Sequence, residues 1–173
     1  MATKKKNLSE YDADKIPDGE NFKLGLVVAE WNPEITFALR DGCIDTLKKY
    51  GVKETNIELV YVPGTFEIPA GARILSGATD VDAVIGIGCV IKGETNHNEY
   101  INQAVAQGLT QLSISSGKPM IFGVLTPNNM EQAYDRAGGK HGNKGVEAAI
   151  TALKMVALKK SFKSTKKSIG FSQ

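Results

Sequence analysis

Residues 83–91 read Ala-Val-Ile-Gly-Ile-Gly-Cys-Val-Ile, a run without one charged side chain. A short run that is apolar at every position, and not only at alternate positions, is typical of a strand buried on both faces. Such strands occur in parallel sheets that helices cover on both sides. The run therefore predicts an α/β fold.

Three more segments have strand-like composition, at residues 23–29, 57–62 and 120–125. Helical patterns lie between them. The first expected helix has Asn32 as its N-cap and Pro33 as its first residue, followed by apolar positions four residues apart: Ile35, Leu39, Cys43 and Leu47. Further helices are expected from about Pro69, from about Asn98, around Met130 to Tyr134, and from Val146 to Ala157. Alternating strands and helices predict a three-layer αβα sandwich around a four-stranded parallel sheet.

The composition narrows the class of protein. A chain of 173 residues with 42% hydrophobic content has the usual size and core of one domain. No stretch approaches the roughly 20 apolar residues that span a bilayer. The lysines near the N-terminus precede no apolar core, so we expect no secretory signal. Cys43 and Cys89 lie in apolar patterns without metal-ligand or redox spacing, which favours reduced core thiols and a cytoplasmic location.

Positive charge is concentrated at the two ends of the chain, in Lys4, Lys5, Lys6, Lys159, Lys160, Lys163, Lys166 and Lys167. Basic ends are able to contact nucleic acid. However, no aromatic residues are interleaved with these lysines to stack on bases. Solvated or assembly-related ends are therefore favoured, and a nucleic-acid partner is not expected.

Ligands of parallel α/β folds bind beyond the carboxyl ends of the strands, and residues 92–97 are the most informative segment there. Gly93 permits a close turn, and Thr95 provides a hydroxyl at the expected helix start. The N–H groups and the dipole of that helix would form an anion site. His97, in the same turn, would transfer protons. The alternative is that Thr95 only caps the helix and His97 is solvated.

Three other residues near expected strand or helix ends have two interpretations each. Trp31 is the only tryptophan; it either stacks on a planar ring or covers the core as a rim residue. Glu67 either holds a polyol or a ring N–H, or is an ordinary helix-start charge. Arg136 either binds phosphate with its guanidinium or belongs to a flexible, basic surface loop over residues 136–145.

Several classes of site are excluded. The glycines at 86, 88 and 93 lack the G-x-G-x-x-G spacing of a dinucleotide site, and no Walker lysine motif occurs. The two histidines, His97 and His141, belong to no ligand cluster, so no zinc site is expected.

Three segments together resemble the lumazine synthase family: Pro-Gly-Thr-Phe-Glu-Ile-Pro at 63–69, Gly-Glu-Thr-Asn-His at 93–97, and Arg-Ala-Gly-Gly-Lys-His-Gly-Asn-Lys-Gly at 136–145. They occur in the family's order and spacing. The likeness runs from about Phe22 to Leu158, which leaves a polar N-terminal segment (1–21) and a basic C-terminal tail (159–173) outside the domain (22–158). The resemblance implies a flavodoxin-like sandwich.

The resemblance also implies a reaction. In it, 5-amino-6-(D-ribitylamino)uracil condenses with 3,4-dihydroxy-2-butanone 4-phosphate to give 6,7-dimethyl-8-ribityllumazine, phosphate and water. This is the penultimate step of riboflavin biosynthesis, and the family requires no metal or organic cofactor. The implied partners are therefore small-molecule substrates, together with further copies of the chain in a pentamer or a 60-subunit icosahedral shell.

The family pattern implies a role for each matched residue. The ribitylaminouracil site comprises Trp31, which stacks on the ring; Thr65, Phe66 and Glu67, which hold the ribityl chain; Cys89, Val90 and Ile91, whose backbone pairs with the pyrimidine edge; and Lys144 nearby. The phosphate site comprises Glu94 and Thr95, together with Phe122 and Arg136 from the neighbouring subunit. His97 matches the proton-transferring histidine.

The sequence departs from the family in two places. Asn98 follows His97 where an aromatic residue is common, and Trp31 replaces the commoner phenylalanine. Two alternatives share the fold: an archaeal-type riboflavin synthase, and a non-catalytic shell or flavin-binding protein. The His97 segment and Arg136 favour the reaction that uses a phosphate, and the filled polar positions argue against a non-catalytic protein.

Overall fold

The computed structural model describes Ser9 and residues 11–165, with side chains described as far as Phe162. Its main sheet has four parallel strands in the order β2-β1-β3-β4. The strands are β1 (Leu24–Ala29), β2 (Ile57–Val62), β3 (Ala83–Cys89) and β4 (Met120–Leu125). The four-stranded parallel sheet that the sequence predicts is confirmed.

The described residues form five helices beside the strands: α1 (Pro33–Lys49), α2 (Ile68–Ala78), α3 (His97–Ser116), α4 (Met130–Arg136) and α5 (Lys144–Thr165). Short 3-10 turns occur at Ala13–Lys15, Glu54–Asn56 and Thr65–Glu67. Helices α1 and α5 pack on one face of the sheet, and α2 and α3 pack on the other. These three layers confirm the predicted αβα sandwich.

The two inner strands explain the apolar runs in the sequence. Every residue of β1 and β3 is buried, because side chains alternate between the two helical layers. Leu26 and Ile85 join the core cluster beneath α1 and α5, whereas Val27 and Val84 join the cluster beneath α2 and α3. Strand β2 lies at the sheet edge, where Leu59 and Tyr61 are exposed.

The predicted start of α1 is confirmed, since Asn32 is its N-cap residue and Pro33 its first residue. The Asn32 side chain, however, makes no cap hydrogen bond; it bonds across the sheet instead. Helix α3 begins at His97 after Asn96, and no side chain caps it, so the Thr95 hydroxyl is not a helix cap. The expected apolar stripe of α3 is also mostly half-buried, since only Val105 and Leu109 are buried in that helix.

The predicted loop over residues 136–145 contains a hairpin. Strand β5 (Ala137–Gly139) pairs in antiparallel fashion with β6 (Gly142–Asn143), and α5 begins directly afterwards. Glycine-rich strands of two and three residues show no apolar alternation, so the sequence pattern could not reveal them. The segment is therefore an ordered connection between α4 and α5.

The basic C-terminal residues begin inside a helix. Helix α5 continues past Leu158 to Thr165, and the Lys160 ammonium bonds to the Asn21 carbonyl oxygen and to Asp82 Oδ2, both at 2.9 Å. The predicted basic ends also include Lys4, Lys5, Lys6, Lys166 and Lys167, which lie outside the described residues.

Candidate active site

A cavity of about 470 Å³ opens at the carboxyl ends of β1, β2 and β3, a size typical of small-molecule sites. It brings together nine of the residues singled out from the sequence: Trp31, Thr65, Phe66, Glu67, Cys89, Val90, Ile91, Thr95 and His97. Its lining also includes Asn32, Gly64, Gly93, Asn98 and Ile101. The strand-end rule therefore locates the site.

The turn after β1 places an aromatic side chain at the rim of the cavity. Asn32 adopts the left-handed conformation, with φ at 58°, which asparagine tolerates better than most residues. Its Nδ2 donates a hydrogen bond to the Cys89 carbonyl oxygen at 3.1 Å. The neighbouring Trp31 is 72% exposed, so its ring is free to stack on a planar ligand.

The turn after β2 provides a buried hydroxyl, an exposed ring and a carboxylate. Thr65 is buried against β3 at a position where Gly88 has no side chain; a Cβ there would lie 2.7 Å from Thr65 Oγ1. The glycine therefore permits the turn to approach the strand. Phe66 is 58% exposed, and Glu67 is half-buried.

Beyond β3, the backbone offers polar groups to the cavity. Two N–H groups point towards β4: that of Val90 donates to the Leu125 carbonyl oxygen at 2.9 Å, and that of Lys92 donates to the Pro127 carbonyl oxygen at 3.0 Å. Because successive residues of an extended chain point their polar groups to opposite edges, the N–H of Ile91 faces the β1 side. Strand β1 has ended there, so this edge is open to a ligand.

The Cys89 thiol is not a nucleophile in this cavity. Burial, with a smaller contribution from the charge of Glu34, raises the pKa of Cys89 to about 12. A thiol with that pKa is protonated at neutral pH, and the thiolate is the reactive form. Cys43 is also free and buried.

The turn at residues 93–97 leads into the N-terminus of α3. Gly93, Thr95 and His97 line the cavity and are exposed. No side chain caps α3, so its first N–H groups and the positive end of its dipole remain available to an anion. His97, the first residue of the helix, lies beside that anion position.

A family model described as 6,7-dimethyl-8-ribityllumazine synthase matches residues 21–160. The chain belongs to the lumazine synthase family. Curated relatives with that name include those of Porphyromonas gingivalis, 53% identical over 92% of this chain and 99% of the relative, and of Cytophaga hutchinsonii, 54% identical over 91% of this chain and 98% of the relative. The relative from Parabacteroides distasonis is 51% identical over 90% and 98% of the two chains.

Four residues singled out by the resemblance to lumazine synthases do not line the cavity of the single chain: Glu94, Phe122, Arg136 and Lys144. Glu94 is exposed beside it, and Phe122 packs half-buried against the core under α2 and α3. Arg136 and Lys144 flank the β5–β6 hairpin, which follows β4 and α4.

The side chains of Arg136 and Lys144 share one carboxylate. Arg136 donates through Nη1 to the His141 carbonyl oxygen at 2.8 Å and pairs through Nη2 with Glu147 Oε1 at 2.7 Å. Lys144 Nζ lies 3.2 Å from Glu147 Oε2. A guanidinium has five N–H donors, so Arg136 keeps donors for a further anion while its orientation is fixed.

Sequence reasoning assigned no binding role to Asn32, Gly64 or Ile101, expected only a close turn at Gly93, and treated Asn98 only as a departure from the family. A signal existed for Asn32, because asparagine between a strand and a helix is the residue type that adopts a left-handed turn. No comparable signal exists for Ile101, which resembles any core position of an amphipathic helix.

Within the described part of the chain, no group of three or more His, Cys, Asp or Glu residues is placed to hold a metal ion. None of the described helices is long and apolar enough to span a membrane.

Proposed function

We propose that the protein catalyses the condensation of 5-amino-6-(D-ribitylamino)uracil with 3,4-dihydroxy-2-butanone 4-phosphate to 6,7-dimethyl-8-ribityllumazine. The aromatic amine attacks the ketone, and one water leaves as the imine forms. Phosphate is then eliminated, and closure of the second ring releases another water. The proposal depends on one observation, made in a chain of the lumazine synthase family. A single cavity is lined by the exposed ring of Trp31, by the open backbone edge at Ile91 and by the uncapped N-terminus of α3.

The proposed uracil site occupies the side of the cavity nearer β1 and β2. Trp31 stacks on the pyrimidine, and the backbone of Cys89, Val90 and Ile91 pairs with its edge. Thr65, Phe66 and Glu67 hold the ribityl chain. Their support is that all seven line one cavity and that the N–H of Ile91 faces an edge that β1 has left open.

The proposed phosphate site lies at the start of α3. Thr95 and the first N–H groups of the helix bind the phosphoryl oxygens, and Glu94 belongs to the same turn. Backbone donors and a helix dipole stabilise a departing phosphate without having to reorganise. His97, the first residue of α3, moves protons between the amine, the carbinol and the imine.

Most of the proposed rate enhancement comes from positioning. The reaction joins two flexible molecules, and holding both in register is worth several kcal/mol of barrier lowering. A stacked ring, a held polyol and a bound phosphate provide that register. Because Cys89 is protonated at neutral pH, we include no covalent intermediate with a cysteine.

We further propose that a neighbouring subunit completes the site with Phe122 and Arg136, and that Lys144 lies near the ribitylaminouracil. Arg136 and Lys144 are held in fixed orientation by Glu147, yet they do not line the cavity of their own chain. Large exposed apolar side chains on several elements are consistent with subunit contacts: Leu59, Tyr61, Ile74, Ile114, Met155, Leu158 and Phe162. The proposed assembly is a pentamer, with a 60-subunit shell as its larger form.

The proposed domain covers residues 22–158, flanked by the polar segment 1–21 and the basic tail 159–173. The family match over residues 21–160 supports these bounds, although α5 itself runs to Thr165. Two buried free cysteines support the proposed cytoplasmic location, where thiols stay reduced.

Mixing the purified protein with both substrates tests the reaction. We expect the lumazine chromophore to appear together with one phosphate for each lumazine. Incubation with the lumazine product alone distinguishes the archaeal-type riboflavin synthase, which would turn it into riboflavin. Absence of the chromophore with both substrates bound would favour the non-catalytic shell or flavin-binding alternative.

A further inference from the structure

Asn98 lies in the wall of the cavity directly after His97. On α3 it begins a stripe that continues through Ile101, Val105 and Gly108, at spacings of three and four residues that share one helix face. At Gly108 this face contacts α2, because a Cβ there would lie 2.9 Å from Pro69 Cβ. The turn Thr65–Glu67 immediately precedes α2, so Asn98 extends the same face towards that turn.

The amide oxygen of Asn98 lacks a partner in the single chain. This atom, Oδ1, is buried and accepts no hydrogen bond. A buried polar atom without a partner is unusual in a native structure, because desolvation of that atom destabilises the fold. The terminal torsion of asparagine is broad, so the amide is able to turn its two ends towards a ligand.

An amide is a donor at one end and an acceptor at the other. A phosphate only accepts hydrogen bonds, so it would leave Oδ1 without a donor. A hydroxyl both donates and accepts, and a polyol chain presents several hydroxyls next to one another. Of the groups on the two substrates, the ribityl chain therefore fits Asn98 best.

We propose that Asn98 binds a hydroxyl of the ribityl chain and helps to select the ribitylated uracil. The inference rests on the proposed function, in which Thr65–Glu67 hold that chain. Asn98 faces this turn from α3, so the polyol lies between the turn and the helix. The asparagine next to the histidine is then a specificity residue that binds substrate.

Equilibrium binding tests the proposal without requiring turnover. Trp31 is the only tryptophan and lines the same cavity, so quenching of its fluorescence reports binding of 5-amino-6-(D-ribitylamino)uracil. We expect Asn98→Ala to raise the Kd for this compound about 5- to 20-fold, the effect of losing one hydrogen bond to a ligand. A 5-amino-6-alkylaminouracil without chain hydroxyls should bind Asn98→Ala and wild type equally.

Asn102→Ala is the matched control. Asn102 lies one turn further along α3, and its Oδ1 is also buried without a partner, but it does not line the cavity. We expect this variant to leave the Kd for the ribityl compound within about twofold of wild type. Thermal unfolding of both variants separates a general loss of stability from a loss of binding.

Steady-state kinetics add a second readout. For Asn98→Ala, the KM for the uracil should rise while the KM for the butanone phosphate stays unchanged. An unchanged Kd, an equal loss for the alkyl analogue, or a rise confined to the butanone phosphate would overturn the proposal. If only the proposed function fails, wild type binds the uracil but makes no lumazine. If wild type does not bind the uracil at all, both the proposed function and the proposed role of Asn98 are overturned.

Discussion

Asn32 Nδ2 donates a hydrogen bond to the carbonyl oxygen of Cys89 at 3.1 Å, joining the carboxyl ends of β1 and β3. Among the described residues other than glycine, Asn32 alone has a positive φ. The bond and the left-handed turn together fix the direction in which the chain leaves β1. Trp31, the preceding residue, is thereby held at the rim of the cavity.

Comparing Asn32→Ala with Asn32→Gly separates the turn from the bond. Both variants lose the hydrogen bond, but glycine adopts the left-handed conformation freely, whereas alanine is strained there by about 1–2 kcal/mol. We expect the free energy of unfolding in urea to be lower for Asn32→Ala than for Asn32→Gly by that amount. Both should bind the uracil more weakly than wild type. Equal stability of the two variants would show that the turn carries no strain.

Replacing His97 with alanine should slow turnover without abolishing it. General acid–base groups contribute about 100-fold or more, but positioning supplies most of the proposed rate enhancement, so we expect a decrease in kcat of about 10- to 100-fold. Steady-state rates measure this effect, and the Kd for the uracil should change little. Complete loss of turnover with binding intact would contradict a mechanism based on positioning.

Arg136→Ala should make the enzyme use the butanone phosphate less efficiently. Charged hydrogen bonds to a phosphate are worth about 1.5–3 kcal/mol, so kcat/KM for the butanone phosphate should fall about 10- to 100-fold. Lys140→Ala is the matched control, because Lys140 lies in the same segment but pairs with Asp135 at 2.9 Å. Equal losses in the two variants would mean that only the overall charge of the hairpin matters.

Gly145→Ala should lower the free energy of unfolding. A Cβ at this position would overlap the backbone carbonyl of Leu39, and a backbone atom between two packed helices has little room to move. Overpacking of a core typically costs about 1–3 kcal/mol, and here the obstacle is a backbone group and not a flexible side chain. Gly93→Ala, in the turn that we propose to bind phosphate, is the control, since no atom lies within 4 Å of its added Cβ. Urea unfolding of the two variants compares them; a cooperative, wild-type transition for Gly145→Ala would contradict the packing.

The sheet could be predicted because the sequence pattern of each strand lies within a few consecutive residues. Each inner strand is a short apolar run. The composition of residues 83–91 alone predicts that this strand is buried on both faces, whatever the rest of the chain contains. The cavity could be located for a similar reason, since the carboxyl ends of parallel strands meet at one edge. Trp31, Thr65 and His97 follow different strands, and the fold brings them into one wall.

Features that depend on distant partners could not be predicted. The Asn32 amide looks like a helix cap in the sequence, but its partner Cys89 lies 57 residues away. Gly88 resembles part of a nucleotide motif, whereas its function is to let Thr65 approach the strand. The roles of Phe122 and Arg136 stay predictions, since they depend on a second chain.

Complementation between two impaired variants tests most directly whether each site draws on two chains. Trp31→Ala removes a residue of the cavity itself, and Arg136→Ala removes one that the neighbouring subunit is proposed to contribute. After the two variants are unfolded, mixed in equal amounts and reassembled, random assortment should restore about a quarter of the wild-type sites. We predict lumazine formation near that fraction of the wild-type rate. Activity no higher than the average of the separately reassembled variants would contradict a site shared between subunits.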